Sequence, residues 1–203
     1  MPQSGSAHAS VDARILAVAT DHLRRFGASR TTVTGIAQDA GMTHANVYRY
    51  FPSKTALADA VTAAWLKPLE LLLADVADSP DPADDKLERM LTALAGAQRD
   101  RLEADPYLFD VFADAMQEGR GVARKHRARV RMLLDRVVEE GIGSAVFTIR
   151  RRDRAVTLIL DLVHRFVTPS SVLADREVPR RTLDERLSLT LGAVRRALKS
   201  GIA

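Results

Sequence analysis

The stretch from Thr31 to Lys54 reads TTVTGIAQDAGMTHANVYRYFPSK, two short capped segments with a glycine between them. A Thr at its start can cap a short helix whose buried side is Val33, Ile36, Ala37 and Ala40. Gly41 permits a tight turn, Thr43 can cap a second helix from His44 to Tyr50, and Phe51-Pro52-Ser53 ends that helix and caps the next. Two short capped helices joined by a glycine turn are what a helix-turn-helix requires. In the second helix Met42, Val47 and Phe51 can pack inward, which leaves Thr43, His44, Ala45, Asn46, Tyr48, Arg49 and Tyr50 facing out. A solvated face beside a core is the plain alternative. Two tyrosines within three residues nevertheless call for a partner, and hydroxyl and amide groups at a helix start reach base edges while Tyr, Lys and Thr donate to phosphates.

Upstream, Ile15, Val18, Ala19, Leu23 and Phe26 recur at helical spacing, so Val11 to Phe26 reads as one helix that Gly27 terminates. Residues 1–9 are small and polar and read as a mobile tail. Downstream, Ser53 opens a longer pattern through Leu57, Val61, Ala64 and Trp65 to Pro68, where a kink or break is expected because the proline ring opposes the carbonyl of Ala64. Leu69 to Val76 is apolar. The run from Asp78 to Asp85 reads as a linker, with Asp81 capping a helix that begins at Pro82. Helical patterns then cover Pro82 to Leu102, Pro106 to Gln117 capped by Asp105, Val122 to Glu140, and Asp153 to Val167. A capping box at Thr182 to Glu185 opens the last helix, which Gly201 closes.

This is an all-α chain: a three-helix helix-turn-helix domain over residues 10–54, then a roughly six-helix bundle over 55–203. Its 203 residues can bury a sizeable core, and the composition, 46% hydrophobic and 28% charged with 11 Gly and 8 Pro, is that of an ordinary globular protein. Only 5% of residues are aromatic, which argues against strand-rich folds. Cysteine is absent, which removes disulfides, thiolate nucleophiles and cysteine zinc sites. Of the net charge of +4, three units fall within residues 1–54, where six Arg and Lys face three Asp. No uninterrupted apolar run approaches the ~18 to 20 residues of a membrane span, and the start MPQSGSAHAS carries no signal-like apolar core. A cytoplasmic protein with no membrane partner is expected.

Motifs of catalysis are missing: there is no G-x-S-x-G, no G-x-x-x-x-G-K-[ST], no H-E-x-x-H, and Gly141-Ile-Gly143 lacks the third glycine of a dinucleotide turn. His8, His22, His44, His126 and His164 share no metal-ligand spacing, and His126 and His164 read as surface or salt-bridged residues. Neither enzymatic activity nor a cofactor or metal is expected. A ligand-binding or scaffold protein without DNA function is the alternative to a DNA-binding one.

Thr31-Thr32-Val33 with Ile36-Ala37, followed by Gly41 to Lys54, resembles the TetR family of bacterial transcriptional regulators, TetR/AcrR-like, over residues 11 to about 60. The resemblance implies a DNA-binding domain in the first three helices, a bundle that binds ligand and dimerises, and repression relieved by a small molecule. It implies that Thr43 caps the recognition helix and meets a phosphate, and that His44, Ala45 and Asn46 stand nearest the bases. Tyr48, Tyr50 and Lys54 match phosphate-binding positions, and Thr32 and Thr34 match contacts from the preceding helix. Gly35 departs from the pattern, where an acidic residue is usual, and weakens its helix by roughly 1 kcal/mol relative to Ala.

For the bundle, Trp65, Leu69, Leu94, Phe109, Phe112, Met116 and Phe166 are candidate pocket residues, each equally readable as core, and a hydrophobic or aromatic effector with few charges is expected. The basic run Arg124 to Arg131, with Arg150, Arg151, Arg152 and Arg154, reads first as a solvated face and second as a site for an anion. The segment from Asp153 to Val167 is apolar on more than one face, and the last helix carries a second, small-residue face. Homodimerisation through these two helices is the leading reading, with Leu158, Leu162, Phe166, Leu189, Gly192 and Ala193 at the interface.

Overall fold

The computed structural model describes residues 10–201, and the expected N-terminal tail lies outside them. Ten helical segments occur among the described residues: α1 (Val11–Arg30), α2 (Val33–Asp39), α3 (His44–Tyr50), α4 (Lys54–Asp78), α5 (Ala83–Ala104), α6 (Pro106–Gln117), α7 (Gly121–Gly143), α8 (Arg152–Val167), α9 (Pro169–Ala174) and α10 (Arg180–Ser200). The chain is all-α, a three-helix head followed by a helical bundle.

The head forms because short polar residues supply the backbone partners that isolated helix ends lack. Thr32 Oγ1 accepts from Gly35 N at 3.1 Å, Thr43 Oγ1 from Asn46 N at 3.2 Å and Ser53 Oγ from Ala56 N at 2.9 Å. Gly27 interrupts α1 at φ 71°, and a Cβ there would come within 3.3 Å of the Tyr107 ring. Ile15, Ala19, Leu23, Val33, Ile36, Ala37 and Val47 form the head's core, which does not end with α3: Leu57 and Val61 of α4 and Leu108 and Val111 of α6 complete it. Three small helices bury too little surface alone, so α4 and α6 serve the head and the bundle at once.

Between them, the other helices bury a second core of Leu69, Leu73, Met90, Leu91, Leu133, Leu134, Val137, Ile159, Leu191 and Leu198 among others. Phe109 and Phe112 are fully buried, each worth about 1.5 to 3 kcal/mol of apolar transfer. Buried Lys86 of α5 is held by both carboxylate oxygens of Glu140 of α7 at 2.8 Å.

Several local expectations are corrected. Helix α4 runs through Pro68 without a break. A proline removes one hydrogen bond and costs about 3 kcal/mol, and the buried side chains of Leu66, Leu69, Leu73 and Val76 on both sides of it offset that cost. Pro82, not Asp81, occupies the cap position of α5, and Asp81 instead pairs with Arg89. Helix α10 begins at Arg180, so Thr182 lies inside it and Glu185 pairs with Arg181 at 3.0 Å instead of closing a capping box. Phe26, expected on the buried face, is exposed, edge-on to His22 with the Arg25 guanidinium over its ring.

The segment Arg152–Ala174 reaches a mean hydropathy of 1.3, enough by length and composition to span a bilayer. It is two helices, however: the backbone turns extended at Thr168, and Ala155, Val156, Ile159 and Val163 are buried in the bundle.

Candidate nucleic-acid interface and ligand cavity

Helix α3 is held to the head by Val47, which is 1% exposed, with Met42 and Phe51 packed beside it. Everything else on it faces out: Thr43, His44, Ala45, Asn46, Tyr48, Arg49 and Tyr50 are all exposed. The His44 and Tyr48 rings meet edge to face at 4.7 Å, and Arg49 donates to the Tyr50 hydroxyl at 3.3 Å.

Thr32 and Thr34 stand exposed on the start of α2, and Lys54 on the first turn of α4. Lys54 Nζ donates to Ala28 O at 2.6 Å, which uses one of three ammonium protons and fixes the charge beside α3. An open concavity joins Arg14 of α1 and Gln38 of α2 to Thr43, Asn46, Arg49 and Tyr50 of α3. Arg14 and Gln38 escaped the sequence reading, because nothing in their local pattern says that α1 and α2 bring them alongside α3.

Gly35 has a packing role that its departure from the family pattern did not suggest. His22 is buried on α1, its Nε2 2.7 Å from Asp39 Oδ2 at the end of α2, and its ring lies over Gly35. A Cβ at position 35 would sit 3.3 Å from His22 Cε1 and 3.2 Å from Thr32 Oγ1. A larger side chain there would push against both the capping hydroxyl and the buried ring.

In the bundle, a cavity of about 410 Å³ opens between α5, α6, α7 and α8. Leu94, Phe112 and Met116 line it, but Trp65, Leu69, Phe109 and Phe166 do not. Leu69 belongs to the inter-helix core, Phe109 is closed in by Trp65 and Phe112, and Phe166 faces a separate groove against α9 and α10. Helical periodicity marks which side chains are apolar, and only the angles between helices decide which of them meet in a core.

The wall has a polar part, of which the sequence marks only the arginines of the basic run. Gln98, His126, Arg127, Arg131, Asp161 and His164 all border the cavity. Two of these can be found in the sequence by extending the apolar stripes: Gln98 lies four residues after Leu94, and His126 four before Val130. Of the two readings of His126, surface or salt-bridged, the second holds: it is only 4% exposed, with Nδ1 2.8 Å from Glu70 Oε1 and its ring edge-on to Phe112. Burial pushes the imidazole pKa down, partly countered by Glu70, so the neutral form is favoured.

Of the arginines of the basic runs, Arg127 and Arg131 reach the cavity, Arg131 also donating to Thr157 Oγ1 at 3.0 Å. Arg152 pairs instead with Asp135 and Glu139, and Arg151 with Asp153. Among the described residues no three His, Cys, Asp or Glu side chains are grouped to hold a metal.

Residues 15–61 match the family model described as bacterial regulatory proteins, tetR family, and residues 83–188 match that of the tetracyclin repressor-like C-terminal domain. No curated protein matches the chain. Among solved structures, a TetR transcription regulator from Haloarcula marismortui superposes with a TM-score of 0.67 at 20% identity, over 94% of this chain and 97% of that one. FadR from Bacillus subtilis, in complex with stearoyl-CoA, gives 0.64 at 19% identity over 94% and 98%. RolR in complex with resorcinol gives 0.64 at 19% over 93% and 87%. At such identities the likeness is one of fold.

Proposed function

The chain belongs to the tetR family of bacterial regulatory proteins, and from that premise we propose that it is a repressor that binds a palindromic operator as a homodimer and is released by a small molecule. Its two matched domains and its fold are those of a ligand-responsive transcription regulator. In the proposal residues 10–54 form the DNA-binding domain, acting in the cytoplasm, and 55–203 the ligand-binding and dimerisation domain.

One observation carries the DNA reading: α3 spends a single buried side chain, Val47, on the head and turns its remaining polar and aromatic groups outward. His44, Ala45 and Asn46 would enter the major groove, where the Asn46 amide suits an adenine edge. Thr32, Thr34, Thr43, Tyr48, Tyr50 and Lys54 would hold the phosphates. Two copies would place their recognition helices about 34 Å apart on one face of the duplex.

For pairing, the second apolar face of α8 and the small-residue face of α10 are the candidates. Leu162 and Leu189 are exposed by 39% and 75%, and Leu158, Phe166, Gly192 and Ala193 are half-buried beside them. A helix on which large apolar groups stay in water at this density is suited to a second copy.

Helix α4 would carry the signal. Three residues separate it from α3, and on it Glu70 grips His126 of the cavity wall. With α4 unbroken at Pro68, a shift at Glu70 moves its N-terminal turn and hence the spacing of the recognition helices. Linkage then requires that operator DNA weaken effector binding by the same factor.

The test is binding of the purified protein to the intergenic DNA beside its own gene, at two salt concentrations with excess nonspecific competitor. Binding that survives competitor and falls steeply with salt supports the regulator reading. Absence of binding there and across genomic fragments leaves a helical ligand-binding or scaffold protein.

A further inference from the structure

We propose that the effector is a small aromatic hydroxy acid, held in the cavity between α5 and α8 with its hydroxyl on Gln98 and His126 and its carboxylate toward Arg127 and Arg131. The inference rests on the ligand-responsive reading and names the ligand's chemistry.

Gln98 supplies the first observation. Its side chain borders the cavity at 1% exposure, and Oε1 is shielded from solvent with no hydrogen-bond partner. A buried amide oxygen without a partner costs about 1 to 3 kcal/mol, so a site that keeps one is built to be completed by something that enters. His126 supplies the second. With Nδ1 directed at Glu70 and the ring neutral, Nδ1–H donates to the carboxylate and Nε2 is left with a lone pair. Both groups accept and a ligand hydroxyl carries one proton, so it donates to the Gln98 amide oxygen or to His126 Nε2, and when bound to Nε2 it can accept from the Gln98 amide NH₂.

The wall around these groups sets the rest of the molecule. Phe112 offers an aromatic ring and Met116 a polarisable thioether, contacts that favour an aromatic ring over an alkyl chain. A cavity of about 410 Å³ suits a one-ring compound with a short substituent. Arg127 and Arg131, one turn apart on α7, bring two positive charges against the single carboxylate of Asp161. The wall therefore favours one negative charge, and the expectation of an effector with few charges is narrowed to an acid.

Calorimetric titration of the full-length protein with 4-hydroxybenzoate, 4-hydroxyphenylacetate and 3-(4-hydroxyphenyl)propionate tests this, alongside phenylpropionate, 4-propylphenol and decanoate. At least one hydroxy acid should bind at least about tenfold more tightly than its deoxy and its uncharged analogue. In Gln98→Met, of similar volume, the advantage over phenylpropionate should shrink, and in Arg127→Gln/Arg131→Gln the advantage over propylphenol should vanish. Equal binding of all probes, preference for decanoate, or no binding by any of the three hydroxy acids overturns the proposal. Adding operator DNA separates the two readings. Tight hydroxy-acid binding that leaves operator binding unchanged keeps the ligand class and sinks release by effector, whereas operator binding by a protein that takes up none of the hydroxy acids sinks the ligand class and leaves the regulator reading standing.

Discussion

Arg24 Nε of α1 donates to Asp105 Oδ1 at 2.5 Å, joining the DNA-binding head to the residue that precedes α6, 81 positions along the chain. Asp105 sits where a capping residue belongs, yet its carboxylate caps nothing: it accepts from Arg24 and, at 3.4 Å, from Trp65 Nε1 of α4. Arg101 lies over the Trp65 ring and donates to Trp65 O at 2.8 Å. The head is thus tied to α4, α5 and α6 at one point.

The Arg24 hydrogen bond holds the Asp105 carboxyl below its ordinary pKa of 3.8, and the same pair raises that of Arg24. A lowered folded-state pKa means that the stabilisation is complete above about pH 4 and is lost as pH falls through the lowered value. Because Arg24 is half-exposed, a double-mutant cycle of Arg24→Ala and Asp105→Asn should give about 0.5 to 1 kcal/mol of coupling near neutral pH, by urea denaturation. Coupling that persists unchanged in acid would refute this.

Asn46→Ala and Tyr48→Ala should each cost about 1 to 3 kcal/mol of operator affinity, with melting temperature within a degree or two of the parent, because neither side chain enters the core. Fluorescence anisotropy with labelled operator reads the first and calorimetry the second. Unchanged affinity removes these residues from the interface.

Gly141→Ala should destabilise the protein by about 1 to 3 kcal/mol, although helix propensity alone predicts a gain of about 1. Gly141 is helical, and a Cβ there would overlap the ring of Phe147, which is itself buried over it. Gly141→Ala/Phe147→Leu should recover part of the loss in chemical denaturation.

His126 faces Glu70 of α4, Arg101 of α5 and the Phe112 ring of α6, and its pKa is pushed below the ordinary 6.5 mainly by burial. Below that value the unfolded chain takes up a proton that the folded one refuses, so stability falls as pH drops from about 6.5 toward the lowered value. Melting curves at about pH 7.5 and 5.5 should show the parent losing more than His126→Gln; parallel losses would place the pH sensitivity elsewhere.

Leu162→Asp with Leu189→Asp should convert a dimer to a folded monomer in light scattering, since both side chains lie outside the subunit's core. Retention of the dimer would move the interface to another face.

Legible in the sequence were the elements whose signals are local. The caps at Thr32, Thr43 and Ser53, the glycine at position 41 and the apolar spacing of Val33, Ile36 and Val47 specify α2 and α3 without reference to the rest of the chain. The exposure of the recognition-helix candidates follows from the same pattern, because a seven-residue helix that buries only Val47 leaves its other side chains outside.

What the chain places far apart only the tertiary structure decided. That Pro68 leaves α4 unbroken, that Asp105 binds Arg24 instead of capping α6, and that His126 is buried against Glu70 each depend on a partner on another helix. The same is true of the cavity, which gathers Leu94, Phe112 and Met116 but leaves Leu69 and Phe109 in the core. A local pattern fixes which face of a helix is apolar, within a few residues of backbone geometry. The rotation and crossing of one helix on another are set by the fit of side chains across the interface, and those contacts have no sequence period to be read from.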